Sequence, residues 1–207
     1  MALLEVCVDS IASLAAAQEA GAGRIELCAR LDLDGLSPTA ELLEQALVIA
    51  RVPVCVMVRP RAGEFVVRAG ERERMAGEVR ALRERRVVGV VLGLLTSAGE
   101  IDMEATRNLV ELARPLSVTF HRAFDQARDP AAALERLIEL GVDRVLTSGG
   151  APTAWEGRAT LRALVERARG RITVMAGGNV RADHAQALLD ATGVDELHAS
   201  VPFALRP

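Results

Sequence analysis

The chain has 207 residues, half of them apolar, and a formal net charge of −3, enough to bury one substantial core as a single domain over residues 1–207. That mild acidity and the lack of a dense basic run give no case for a nucleic-acid surface, and no apolar stretch reaches membrane-spanning length. All 25 basic residues are arginine, and there is no lysine and no tyrosine. This excludes lysine Schiff-base chemistry, lysine-anchored pyridoxal phosphate and a Walker-type phosphate loop.

In chain order, short apolar runs that end in polar residues alternate with stretches of helical periodicity. Leu3–Val8 predicts the first strand and Ser10–Ala20 the first helix. Arg24–Leu27 is followed by Pro38–Ala50, Val54–Val58 by Arg72–Arg86, and Gly89–Leu92 by Asp102–Ala113. Ser117–His121 precedes Pro130–Leu140, Arg144–Thr147 precedes Thr153–Arg169, and Ile172–Ala176 precedes Arg181–Ala191; Glu196–His198 is the eighth strand. Ser37-Pro38 and Asp129-Pro130 each read as an N-cap followed by proline at the first helical position. Gly21 and Gly141 stand where helix ends want glycine.

Eight strands in strict alternation with helices predict a closed (β/α)8 TIM-type barrel. An open doubly wound sheet is the alternative, and it would need fewer strands. Nine residues follow the eighth strand, so the last helix is expected to be missing or reduced. Its absence would bare the outer faces of the end strands around Leu4, Val6, Leu197 and Ala199. A second subunit is expected to cover them, giving a homodimer or higher homo-oligomer. Cys7, Cys28 and Cys55 are an odd set, and Met1–Val8 lacks a basic start; both favour reduced thiols in the cytoplasm.

In a barrel the outward strand faces pack under helices and must be apolar, so the other parity points inward. That rule sends Glu5, Cys7 and Asp9 inside from the first strand and Glu26 and Cys28 from the second. Cys55, Met57 and Arg59, with Arg61 in the following loop, come from the third. Thr119 and His121 come from the fifth, and Glu196, His198 and Ser200 from the eighth. Thr147 and Met175 are the expected inward residues of the sixth and seventh strands. Ordinary barrel interiors hold branched aliphatics, and ionisable groups there must pair with one another or bind something. Glu5 against Arg24 is the expected structural pair, low in the barrel.

One reading of this interior is an enzyme. His121 titrates near neutral pH in its unperturbed state and would shuttle a proton, oriented by Asp125 or Glu26, with His198 sharing the role. Arg59 would clamp a carboxylate or phosphate. Thr147-Ser148-Gly149-Gly150 and Gly177-Gly178-Asn179 would aim backbone N–H groups at the same small anionic ligand opposite Arg59 and Arg61. Without lysine, the chemistry would be that of an acid–base lyase, isomerase or hydrolase. A non-catalytic binding barrel is a further possibility. Trp155 could edge a site or simply pack.

Several collinear stretches carry a resemblance: E-V-C-V-D-S at Glu5–Ser10, R-I-E-L-C at Arg24–Cys28, R-P-R-A-G-E-F at Arg59–Phe65 and V-T-F-H-R-A-F-D at Val118–Asp125. R-V-L-T-S-G-G at Arg144–Gly150, M-A-G-G at Met175–Gly178 and E-L-H-A-S at Glu196–Ser200 complete the set. With these the chain resembles the copper homeostasis protein CutC family over nearly its whole length. The resemblance implies a (β/α)8 barrel, a cytoplasmic location, and copper handling through cysteines at positions Cys7 and Cys28. Cu(I) takes soft thiolate and thioether ligands in low coordination numbers. Cys55 and Met57 lie one strand beyond Cys7 and Cys28, although cysteine also packs commonly as a small hydrophobe.

Overall fold

Strands of four to six residues cannot satisfy their own backbone, and in this chain each is paired on both sides. The computed structural model describes residues 2–200. It closes eight parallel strands into one barrel in sequence order. The elements are β1 (Leu3–Val8), α1 (Ile11–Glu19), β2 (Arg24–Leu27), α2 (Ala40–Ile49), β3 (Val54–Met57), α3 (Ala69–Arg83), β4 (Gly89–Leu92) and α4 (Met103–Ala113). They continue as β5 (Ser117–Phe120), α5 (Pro130–Glu139), β6 (Arg144–Thr147), α6 (Arg158–Ala168), β7 (Thr173–Gly177), α7 (Ala182–Thr192) and β8 (Glu196–Ser200). Closure is made where β1 pairs β8, with Glu5 opposite His198 and Cys7 opposite Ser200. Among the described residues no helix is long and apolar enough to cross a membrane.

The outward strand residues Val6, Val8, Ile25, Leu27, Val118 and Phe120 are buried under the helices and form one core with them. Each such side chain contributes about 1.5–3 kcal/mol by leaving water. Asp129 caps α5 by accepting from Ala131 N and Ala132 N, with Pro130 opening the helix. Gly21 and Gly141 follow their helices at positive φ.

Three helix starts differ from the sequence expectation, each for a local reason. Helix α2 begins at Ala40 because Thr39 is its cap. Ser37 instead accepts from Arg59 N and donates to Glu78, tying two loops together. Helix α3 starts at Ala69, where Glu71 accepts from Arg68 N. Helix α6 starts only at Arg158, since residues 153–157 form a turn in which Thr153 N–H donates to Glu156.

No helix follows β8 among the described residues; the segment where an eighth would lie, 201–207, falls outside them. The expected bare face is not found. Leu197, Ala199 and Val6 are buried and Leu4 is half-buried. The large apolar side chains left exposed among the described residues are the scattered Val48, Val88 and Trp155. Such isolated residues are ordinary on a protein surface.

Inside, β4 contributes Gly89 where a Cβ would lie 2.4 Å from Ser117 Oγ, 2.9 Å from Ser117 O and 3.0 Å from Cys55 Sγ. The strand therefore has to present a hydrogen atom at that point of the wall. We expect Gly89→Ala to destabilise the barrel by about 1–3 kcal/mol through overpacking. Urea unfolding of the variant against the parent checks this, and an unchanged midpoint would refute the tight wall.

Candidate functional site

Charged residues at the N-terminal ends of β2, β6 and β8 close the barrel floor. Arg24 Nε donates to Glu5, and its Nη2 donates to Glu196 at 2.5 Å. Arg144 reaches the same Glu196 at 2.5 and 3.1 Å and donates to Thr119 at 3.2 Å. The expected Glu5–Arg24 pair is thus one edge of a larger network. Removing a single partner from it would strand a buried charge, at roughly 3–5 kcal/mol.

Above this floor a cavity of about 540 Å³ opens toward the C-terminal ends of the strands. At its base stand Cys7, Glu26 and His198. His198 Nδ1 lies 3.0 Å from Glu5 Oε1. Burial would raise the Glu5 pKa, but His198 and Arg24 outweigh it and hold this carboxyl at about 2. Burial works against charge on His198 as well, yet Glu26, Cys7 and Glu5 hold its pKa well above the usual histidine range. Glu26 has no such cation bonded to it, and its Oε2 has no hydrogen-bond partner among the described residues. Burial pushes this carboxyl up to about 7, against the pull of His198 and Arg24 and with the Glu5 charge adding.

His121 lines the cavity from the end of β5, beside Phe65 at 5.0 Å between ring centres. Its Nδ1 accepts from Ala123 N at 3.1 Å. Neither Asp125 nor Glu26 orients it, as the sequence had suggested; the backbone of its own turn does. Burial, together with the Arg59 charge, drives the His121 pKa down to about 3, so the ring is neutral at ordinary pH rather than poised near neutrality. Gly93 makes room for it, since a Cβ there would fall 2.4 Å from His121 Nδ1.

Arg59 also lines the cavity, but most of its donor fork is occupied by backbone. Nη1 donates to the carbonyls of Leu33, Asp34 and Gly35, and Nη2 to that of Gly63. The guanidinium lies 4.9 Å from the Phe65 ring centre. Arg61 stands away from the cavity and ties its own loop together through Glu71 and the carbonyl of Val66.

The glycine-rich turn after β6 binds an anion, and that anion is the protein's own. Asp125 accepts from Thr147 Oγ1, Ser148 N, Ser148 Oγ, Gly150 N and Arg122 Nε. The N–H of Gly149 goes to Thr147 Oγ1. These donors are therefore not offered to a phosphate as expected. The inward residues of β6 are Arg144 and Leu146; Thr147 takes the opposite parity. Of the second turn, Gly178 lines the cavity. Gly177 is packed against Leu146 and His198, where a Cβ would meet their side chains at 2.4 and 3.2 Å.

Of the expected site residues, then, Cys7, Glu26, Arg59, His121, Asp125, His198 and Gly178 share the cavity wall. Cys28, Arg61, Thr147, Ser148, Gly149 and Gly177 do not line it. Cys28 is fully buried behind the wall with Cys55, in an apolar cluster that also holds the wall residue Met57. Burial pushes the Cys28 thiol pKa far up and that of Cys55 to about 12. Among the described residues, Glu5, Glu26 and His198 are the group of metal-ligating side chains whose ligand atoms lie within 4.8 Å of one another. Arg122, expected with Asp125 at the polar end of the fifth strand, is a further wall residue, and sequence reading passed over another, Phe65. The R-A-G-E-F stretch contains it, but a loop phenylalanine carries no period that marks it as inward.

Fold and site together define a (β/α)8 barrel with a charged, thiol-bearing cavity at the C-terminal mouth of its strands. The chain belongs to the CutC family, whose sequence pattern matches residues 2–202. It is 45% identical over 197 residues to a CutC family protein of Histophilus somni, covering 95% of this chain and 81% of the relative. It is 46% identical over 198 residues to the copper homeostasis protein cutC homolog of Mus musculus, covering 96% and 73%. A crystal structure of CutC from Streptococcus agalactiae superposes with a TM-score of 0.90 at 33% identity, over 96% of this chain and 98% of that one.

The raised Glu26 pKa has a thermodynamic consequence. In the unfolded chain this carboxyl titrates near 4.5, in the folded one near 7. Its contribution to stability is therefore complete below pH 4.5 and is lost as pH rises through 7. Glu26→Gln removes that loss. We expect the stability of the variant relative to the parent to rise between these pH values, by at most about 1.4 kcal/mol per pH unit. Urea unfolding at several pH values checks it; parallel stability curves would show that Glu26 is not perturbed.

Proposed function

We propose that this barrel handles copper by taking Cu(I) as cargo at the base of its cavity, with Cys7 as the cavity-lining ligand and Cys28 as the second. The observation that carries this reading is the placement of soft donors on adjacent strands. Cys7 and Met57 line the cavity, and Cys28 lies beside Met57: a Cβ on Gly35 would meet Met57 Cε at 3.3 Å and Cys28 Sγ at 3.6 Å. Thiolate and thioether in low coordination number suit Cu(I).

Chemistry then follows from burial. A thiol held protonated, as Cys28 is, becomes a ligand only when the metal displaces its proton, so uptake releases protons and strengthens with pH. All three cysteines are free thiols, which suits the reducing conditions of the cytoplasm.

Cu(I) titration of the fully reduced protein against a competing chelator tests the assignment. Stoichiometric binding is expected, weakened roughly 100-fold or more in Cys7→Ser and in the Cys7→Ser, Cys28→Ser double variant. Equal binding in parent and double variant would overturn it.

A further inference from the structure

Three ligating side chains meet on the adjacent strands β8, β1 and β2. His198, Glu5 and Glu26 each place a ligand atom within 4.8 Å of those of the other two. Register explains the meeting. Glu5 stands opposite His198 across β1 and β8, and Glu26 stands opposite Cys7, two residues further along β1. All three side chains therefore share the inward parity of neighbouring strands. Glu5 is fully buried, Glu26 is 3% exposed, and the His198 side chain is 11% exposed. A second observation comes from Glu26 alone: its Oε2 has no hydrogen-bond partner among the described residues. The neighbouring cation, Arg24, is engaged by Glu5 and Glu196. Buried carboxylate oxygens are nearly always satisfied, and an orphan among other ligating groups marks the place of an absent partner. For a carboxylate that partner is a cation.

We propose that Glu5, Glu26 and His198 form a binding site for a divalent first-row metal ion. Two carboxylates and one imidazole are a hard-to-borderline donor set, suited to such an ion rather than to Cu(I). The spacing agrees. Ligands about 2.1 Å from an ion and at right angles stand about 3.0 Å apart, and Glu5 Oε1 lies 3.0 Å from His198 Nδ1. The supporting contacts agree as well. Glu5 gives its other oxygen, Oε2, to Arg24, which orients the carboxylate as the outer partners of metal ligands do. Glu26 and His198 belong to the cavity wall, so an ion reaches the site through the mouth. Without an ion, a proton bridges Glu5 and His198; the metal takes its place and that proton leaves to water. This goes beyond the copper reading, because the class of ion and the ligand atoms both differ and no thiol takes part.

The experiment titrates Mn2+ into reduced, metal-stripped protein and reads the free ion by electron paramagnetic resonance. Mn2+ is the probe because it prefers oxygen ligands to thiolates and stands lowest in the first-row affinity order. One ion per chain is expected, with a Kd below about 0.1 mM. Glu26→Gln keeps the shape of the side chain and His198→Asn removes the imidazole; each is expected to weaken binding about tenfold or more. The Cys7→Ser, Cys28→Ser double variant is expected to bind Mn2+ as the parent does. Circular dichroism checks that each variant is folded. Pulsed paramagnetic resonance of the loaded parent needs no substitution and is expected to show one directly bound nitrogen. No saturation by about 1 mM Mn2+, no bound nitrogen, binding lost with the two cysteines, or affinity unchanged in folded Glu26→Gln would each overturn the proposal. Cu(I) titration is a separate readout, so either assignment can fail while the other stands.

Discussion

The interior of this barrel is organised by one constraint: Arg24, fixed at the start of β2, must neutralise buried carboxylates on both sides of it. It bonds Glu5 on β1 and Glu196 on β8, and so joins the strands whose pairing closes the barrel. At low dielectric such charges are tolerable only when matched and hydrogen-bonded. Once Glu5 has given one oxygen to Arg24, its other oxygen meets His198. Burial opposes charge on His198, but Glu26, Cys7 and Glu5 together hold its pKa well above the usual histidine range. Glu26 has no cation bonded to it, and its own burial is the main cause of its raised pKa.

The mouth of the cavity follows a different rule. Features that look from the sequence like ligand binders are turned back on the protein. The Ser148–Gly150 turn holds Asp125, most of the Arg59 fork holds the loop at residues 33–35, and Arg61 holds its own loop. These contacts make the loops rigid and shape the opening. Among the described residues, the polar side-chain atoms left buried without a hydrogen-bond partner include one each on Arg59, His121 and Glu26.

Soft and hard donors occupy different depths of the same region. Cys7 stands beside Glu26 and His198 at the cavity base, whereas Cys28 and Cys55 sit behind the wall in an apolar cluster with Met57 and Val91. The chain belongs to the CutC family, with relatives in very different organisms, the mouse one named a copper homeostasis protein cutC homolog. On the copper proposal, the thiols of this region are what a soft metal would meet.

The alternation of apolar and polar residues in the strands sufficed for the barrel, the inward position of Glu5, Cys7, Glu26, His121 and His198, and the Glu5–Arg24 pair, because side-chain parity along a strand is a local property of the chain. Parity failed at β6, where Arg144 rather than Thr147 points inward, since a long side chain at the strand start can reach the floor network that no local pattern reveals. Helix starts at Ala40 and Ala69 were likewise decided by Thr39 and Glu71 contacts rather than by proline or periodicity. Residue identity determined that the interior would be ionisable and that lysine chemistry was absent. Only the tertiary structure decided which of those groups satisfy one another and which are left over. Hydrogen-bond partners such as Asp125 and Ser148, or Glu5 and His198, lie 23 and 193 residues apart, and the pKa values of Glu26 and His121 depend on burial and neighbours that exist only once the barrel is closed.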